Sequence, residues 1–313
     1  MSTSEAALVV MYNHKYEKNI PTIEAIYRGR FEEIFHLVPF HTGTQANVIS
    51  VYENSHSFQG YIAQGLRSFF RPHFMHYIFA ADDLVLNPAI SSANYQAFFK
   101  LDAKSSFIPQ LDSLPAGPTH WPSYRNGILF DPFKKHGVEV RDDLPPAEEA
   151  AGLLRRHGVA NGNFTFEHVY GQLRLSVVPS RMKANVHRLG RYLVDRLLYK
   201  GSLHRTKYPL TRSYSDIAVI SAGCIRQFCH YCGVFAATDL FAELAIPTAL
   251  ALAADKIVTE KDLALRGKAL WTAEEQFHEL DEYGHQLGEL FRRFPSDCLY
   301  IHPVKLSTWT LEG

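Results

Sequence analysis

The chain has no surplus of charge of either sign: 32 Lys and Arg stand against 32 Asp and Glu. Proteins that grip nucleic acid carry a basic excess or stripe, so no nucleic-acid partner is expected and any charge argument must be local. Long hydrophobic runs are missing too. Ser2–Glu5 is polar, and the apolar run Ala6–Met11 is shorter than a signal-peptide core and far shorter than a membrane span. No secretion signal is read, and a cytoplasmic setting is expected. Cysteine is scarce: of four residues, three crowd into Cys224–Cys232, unlike a disulfide framework spread along a small secreted domain. There is no internal repeat and no low-complexity tract.

What is present is a hydrophobic content of 46% over 313 residues, enough to build a real core in one large domain or two modest ones. Leu8–Met11 predicts a buried strand, and Asn19–Arg28 a helix with Ile20, Ile23 and Ile26 on one face. Ile34–Val38, Val48–Tyr52 and His76–Ala81 predict further strands, with a helix over Gln59–Phe70. Strands alternating with helices predict an α/β fold with a mostly parallel, Rossmann-like sheet, whose ligand site lies at the carboxyl ends of the strands. The polar residues there are Tyr12, Asn13 and His14, then His41, Tyr52, Glu53 and Asn54, and the pair Asp82 and Asp83.

Prolines interrupt the pattern between Pro115 and Gly162, where Asp142–Glu149 predicts a helix start with a carboxylate cap and prolines in the first turn. The chain thus divides into an N-terminal half (1–114), an inserted or connecting region (115–165) and a C-terminal half (166–313), within one compact domain overall. In the last part, Tyr214–Ser221 predicts a strand. Cys224–Ala254 predicts a long helical segment with Gly233 and Pro247 as possible breaks, and Cys298–Ile301 a late strand.

Asp82 and Asp83 follow an apolar strand, where their oxygens would suit Mg²⁺ or Mn²⁺ bridging to a diphosphate; the bland alternative is a pair that caps a turn. Far away, Tyr300–Leu306 sets His302, a candidate metal ligand, close to Lys305, a candidate phosphate contact. These two segments resemble the GT-A class of nucleotide-sugar glycosyltransferases. That class has a Rossmann-like N-terminal half, an Asp-x-Asp-type motif at the end of its fourth core strand and, in several families, a C-terminal His at the metal. The resemblance implies that Asp83, with Asp82, forms the metal and sugar-diphosphate motif, that His302 is the late ligand, and that Lys305 meets a phosphate. It also implies Tyr12, Asn13 and Glu53 near the base and ribose, with His14 beside them, and a UDP-sugar as the favoured donor. The motif here is Ala81-Asp82-Asp83 rather than a strict Asp-x-Asp.

An inverting transferase needs a carboxylate to take the acceptor's proton, and Asp216, Asp239 and Glu243 are the candidates. Glu243, among Leu240, Phe241, Leu244 and Ile246, is the most interesting, because a carboxylate buried in apolar surroundings needs a reason. Solvent exposure, or capping of a backbone group, is the competing explanation. Cys224, Cys229, Cys232 and Cys298 match an iron–sulfur spacing, yet Arg226, Phe228 and Tyr231 are bulky for a cluster loop, which favours cysteines acting as small buried hydrophobes. Segment 181–207 carries Arg181, Lys183, Arg188, Arg191, Arg196, Lys200, Arg205 and Lys207 against the single acid Asp195, with Val186, Leu189, Leu193 and Leu197 on one face. Such a helix either packs its apolar face on the core or lies on an anionic membrane surface, as a peripheral contact on its inner face. The expected activity is transfer of a sugar to a glycan or lipid-linked hydroxyl in surface polysaccharide synthesis. The alternatives are a non-catalytic sugar-nucleotide-binding module and a cysteine-bound metal or redox protein.

Overall fold

The apolar run that opens the chain becomes strand β1 (Ala6–Met11), buried along its whole length. The computed structural model describes residues 5–116, 124–133, 140, 142–160, 162–170, 179–199 and 205–311. Strands β2 (Ile34–Pro39), β3 (Val48–Val51) and β4 (His76–Ala81) follow, and β2 and β4 are again buried at every position. Strands this uniformly apolar belong to a sheet covered on both faces, since a strand with one wet face alternates. Next come β5 (Val85–Leu86), β6 (Ser105–Phe107), β7 (Asp112–Ser113) and β8 (Thr211–Arg212). The last four are β9 (Ile217–Ser221), β10 (Lys256–Val258), β11 (Arg266–Ala269) and β12 (Cys298–His302).

Seven strands form one sheet in the order β10-β6-β9-β4-β1-β2-β3. β1 pairs parallel with β2 and β4, β2 with β3, and β10 with β6, while β9 runs antiparallel to both of its neighbours, β4 and β6. The sheet is therefore mostly parallel and mixed, an α/β arrangement compatible with a Rossmann-like fold. β5, β12 and β11 form a separate three-stranded sheet.

Successive side chains of a strand point to opposite faces, and β1 shows the result. Ala7, Val9 and Met11 enter one core with the helices Phe58–Phe69, Ile225–Ala237 and Ala242–Ala253. Ala6, Leu8 and Val10 enter the other, with the helix Ile20–Tyr27, Tyr95, Phe99 and the C-terminal residues Leu299, Tyr300, Ile301, Val304, Leu306 and Trp309. The connecting region is part of this architecture: Tyr124, Ile128, Leu144, Leu154 and Phe164 all join the first core. Its helix, Ala147–Arg156, starts after Pro146, with no side-chain cap, so the prolines precede the first turn instead of occupying it.

The long C-terminal helical segment is broken, though at neither expected place. It stops at Ala237 and restarts at Ala242, with Asp239 in the left-handed region at φ 55°. Gly233 stays helical because it allows close approach of the Phe58–Phe69 helix; a Cβ there would lie 3.3 Å from that of Ala63. Pro247 stays inside the second helix. Proline cannot donate to the carbonyl four residues earlier, and that carbonyl, of Glu243, instead accepts from the Ser213 amide at 3.1 Å. The missing helical bond thus fastens the segment leading into β9 to the start of this helix.

His76, the first residue of β4, is fully buried, with Nδ1 2.8 Å from the Tyr95 hydroxyl and Nε2 2.9 Å from the Ser105 carbonyl oxygen. A carbonyl only accepts, so Nε2 carries the proton and Nδ1 accepts from Tyr95. Burial pulls the imidazole down from its ordinary value, against the opposing backbone acceptors, so the folded ring is neutral while the unfolded ring protonates below about pH 6.5. The stability it contributes is present above that pH and fades as pH falls through it. His76→Gln is expected to cost about 1–3 kcal/mol at pH 8, and the cost should shrink by up to about 1.4 kcal/mol per pH unit below 6.5. Urea unfolding of both proteins at pH 8 and 5.5 checks this; an equal cost at both would mean that the folded ring already holds a second proton.

Candidate functional site

β4 ends at Ala81, and the backbone turns at once, with the Leu84 amide bonded to the Ala81 carbonyl at 3.1 Å. The turn sends the two carboxylates apart. Asp82 points inward, only 4% exposed, and accepts from the Asn13 amide at 3.0 Å and from Asn19 Nδ2 at 3.4 Å. It thereby holds the loop that leaves β1. Burial pushes its carboxyl up to about 7, against the Asn13 bond that favours the charged form and with the Asp83 charge adding to the rise.

Asp83 faces the other way, with Oδ1 3.0 Å from His302 Nε2. Backbone pairing brings these distant residues together. β12 runs antiparallel to β5, just past the turn, with Tyr300 opposite Leu86, and the Val304 amide donates to the Asp83 carbonyl at 2.6 Å. Burial pulls the His302 imidazole down, but its contact with Asp83 and the charges of Asp216 and Asp83 outweigh that, and the net shift is upward. Asp83 Oδ1 has the His302 ring as its ion-pair partner but no aligned hydrogen bond among the described residues, and His302 Nδ1 is a buried atom without a hydrogen-bond partner among them.

Asp216 reaches the same place because β9 is reversed. A parallel strand would bring its carboxyl end beside that of β4, whereas β9 brings its amino end, and the Ala81 amide bonds to the Asp216 carbonyl at 2.8 Å. Burial pushes the Asp216 carboxyl up, with His302 opposing and Asp83 reinforcing. Glu243 arrives from the first turn of the helix Ala242–Ala253, a position where the helix dipole favours a carboxylate. Asn13, His56, Asp83, Asp216, Glu243 and His302 line one cleft of about 370 Å³.

Beside it lies a second hollow of about 400 Å³, lined by Arg212, Tyr214, Glu260 and Tyr300, and Glu243 and Trp271 belong to both. Tyr214 and Tyr300 stack with an interplanar angle of 3°, and the Trp271 ring meets Tyr214 edge-on at 5.6 Å. Gly267 makes room for this stack, since a Cβ there would fall 2.0 Å from Tyr300 Cζ. Tyr214, Trp271 and His56 drew no expectation of a site role from the sequence. The one available signal was Trp271, a rare residue type set just before a helix start, where it is 64% exposed. A roomier hollow of about 590 Å³, lined by Pro88, Lys100 and Arg292 among others, contains no carboxylate or imidazole and offers no comparable chemistry.

Other expected site residues stay outside the cleft. Tyr12 is fully buried, its hydroxyl 2.9 Å from His36 Nδ1, and so is withdrawn from any ligand. His14 is exposed and packs edge-on against Tyr16 at 5.4 Å. Glu53 lies against the helix Phe58–Phe69, where a Cβ on Gly60 would come 2.8 Å from its Cγ. Lys305 lines a neighbouring hollow of about 200 Å³ with His285 and Trp309. Asp239 is exposed in the left-handed link between two helices.

The four cysteines are buried and unpaired. Cys229 and Cys232 sit within the helix Ile225–Ala237, and burial raises both thiols, which opposes the thiolate that metal ligation requires. Among the described residues no group of three or more His, Cys, Asp or Glu side chains is set to hold a metal ion. The Asp83–His302 pair, with the unpartnered His302 Nδ1, would suit a divalent cation that takes its remaining ligands from water and phosphate oxygens. No protein-family model matches the chain, and no curated protein matches it significantly.

Proposed function

We propose that the chain is a GT-A-type glycosyltransferase that moves a sugar from a nucleotide-diphosphate donor, UDP favoured, to a hydroxyl of a glycan or lipid-linked acceptor. One observation carries the reading: Asp83, at the end of β4, and His302, at the end of β12, meet at 3.0 Å in a cleft that Asp216 and Glu243 also line.

In this reading Asp83 and His302 would hold Mn²⁺ or Mg²⁺, which would supply positive charge at the diphosphate leaving group. Asp82 acts through the loop, keeping Asn13 at the cleft wall. Glu243 stands where the two hollows join, so an acceptor hydroxyl entering past Tyr214, Tyr300 and Trp271 would meet it next to the donor sugar. Glu243 is therefore assigned the proton of the acceptor hydroxyl. The exposed Trp271 ring suits the acceptor side, since sugar rings present apolar C–H faces that rest on aromatic rings.

The test is calorimetric titration of UDP, GDP and CMP into the protein with and without Mn²⁺. Metal-dependent binding of one nucleotide is the expected result. No binding to any of them by folded protein would remove the reading, and binding without turnover against a panel of acceptors would leave a sugar-nucleotide-binding module.

A further inference from the structure

The helix Pro179–Tyr199 faces the wrong way for a helix that packs on a core. Its single acid, Asp195, is 2% exposed and is clasped by Arg125 through two hydrogen bonds of 2.9 and 3.0 Å and by the Tyr170 hydroxyl. Its apolar side chains look outward: Val186, Leu193, Val194, Leu197 and Leu198 are between 51% and 78% exposed. At about 100° per residue these five share one side of the helix, and Asp195 projects from the opposite one. Arg191 and Arg196, both exposed, stand at the two margins of that stripe. Helices that face a core place these groups the other way round. The side chains of Arg181, Lys183, Arg188 and Lys200 lie outside the described residues.

We infer that this face docks the protein on an anionic lipid bilayer. Leucine and valine would sink to the level of the acyl chains, and the arginines at the margins would reach lipid phosphates while their stems lie along apolar surface. Withdrawal of Asp195 removes the helix's single negative charge from the side that anionic headgroups would meet. A second copy of the chain is a poorer occupant, because two such faces pressed together would set Arg191 and Arg196 against like charges. No described helix is long and apolar enough to cross a membrane, so the contact is one of surface docking.

The docked face is tied to the cleft. Arg125 grips Asp195, and the next residue, Asn126, bonds the Asp239 carbonyl at 3.1 Å and the Phe241 amide at 3.0 Å. Phe241 lines the cleft beside Glu243. One short helix, Tyr124–Leu129, thus holds both the bilayer-facing helix and the link that precedes Glu243. The inference does not depend on sugar transfer.

Co-sedimentation with vesicles of phosphatidylglycerol and phosphatidylethanolamine, compared with phosphatidylcholine alone, tests it. The wild type is expected to bind the anionic vesicles at least tenfold more tightly than the neutral ones. Leu193→Glu with Leu197→Glu should weaken that binding at least tenfold, and Arg191→Glu with Arg196→Glu should abolish the preference for anionic lipid. All four positions are exposed, and circular dichroism verifies that the variants fold. Absence of vesicle binding by the wild type, or equal binding by the variants, overturns the inference. So does concentration-dependent dimerisation in sedimentation velocity that the leucine substitutions remove while vesicle binding persists.

Discussion

Asp83→Ala is expected to lower the rate of sugar transfer by at least about 10³-fold, a loss of about 4 kcal/mol in transition-state stabilisation. Metal-dependent nucleotide binding should fall with it. The reason is charge: Asp83 brings the carboxylate of the pair, and without it the imidazole of His302 is the only other protein group proposed to hold the cation. His302→Ala removes a neutral ligand and keeps the anionic one, so its loss should be smaller, about 10–100-fold. The substitutions can be separated from damage to the fold. Asp83 supports the structure through its backbone carbonyl, which accepts from Val304, and that bond survives a change of side chain. Steady-state kinetics across a Mn²⁺ titration, paired with calorimetry, makes the measurement; full activity of Asp83→Ala, or activity indifferent to metal, would dismiss the proposed site.

Glu243→Gln is expected to reduce kcat by about 10²–10⁴-fold, the usual share of a positioned general base, while nucleotide affinity stays unchanged. Glutamine keeps the size and the helix position but cannot take a proton. The split between kcat and donor affinity matters, because a residue that merely shaped the cleft would move both. Asp216→Asn is the informative comparison. Asp216 belongs to the same cleft, but its carboxyl interacts with His302 and Asp83, so its loss should appear in donor binding and metal dependence. If Asp216→Asn instead produced the larger fall in kcat at unchanged affinity, the proton-accepting role would pass to it. Asp239→Asn should change neither quantity, since its side chain lies outside the cleft.

Much of this was legible without coordinates. β1, β2, β4 and the helix Phe58–Phe69 could be read from the chain because a strand buried on both faces is an unbroken apolar run bounded by polar punctuation, and such runs are local properties. The same logic placed Asp82 and Asp83 at a strand's carboxyl end, and His302 at the end of β12. It could not tell the two aspartates apart. Adjacent residues in a turn diverge, and whether Asp82 or Asp83 faces the cleft depends on Asn13 and Asn19 claiming one of them from another part of the chain.

Strand direction leaves no mark on an apolar run either. The expected strand before Ser221 exists, but only its antiparallel pairing with β4 carries Asp216 to the cleft, and that pairing is a choice made across more than a hundred residues of sequence. Helix breaks were misplaced for a related reason. Gly233 and Pro247 look like breaks when the helix is considered alone, whereas Gly233 packs close to Ala63 and the Glu243 carbonyl that Pro247 leaves free accepts from the Ser213 amide. The basic helix shows the limit most clearly. Its composition and periodicity established that it has an apolar side and a charged side. Which side meets the protein was decided by Arg125 and Tyr170, because one buried, doubly bonded carboxylate on the inner face fixes the rotation of the whole helix and turns its leucines outward.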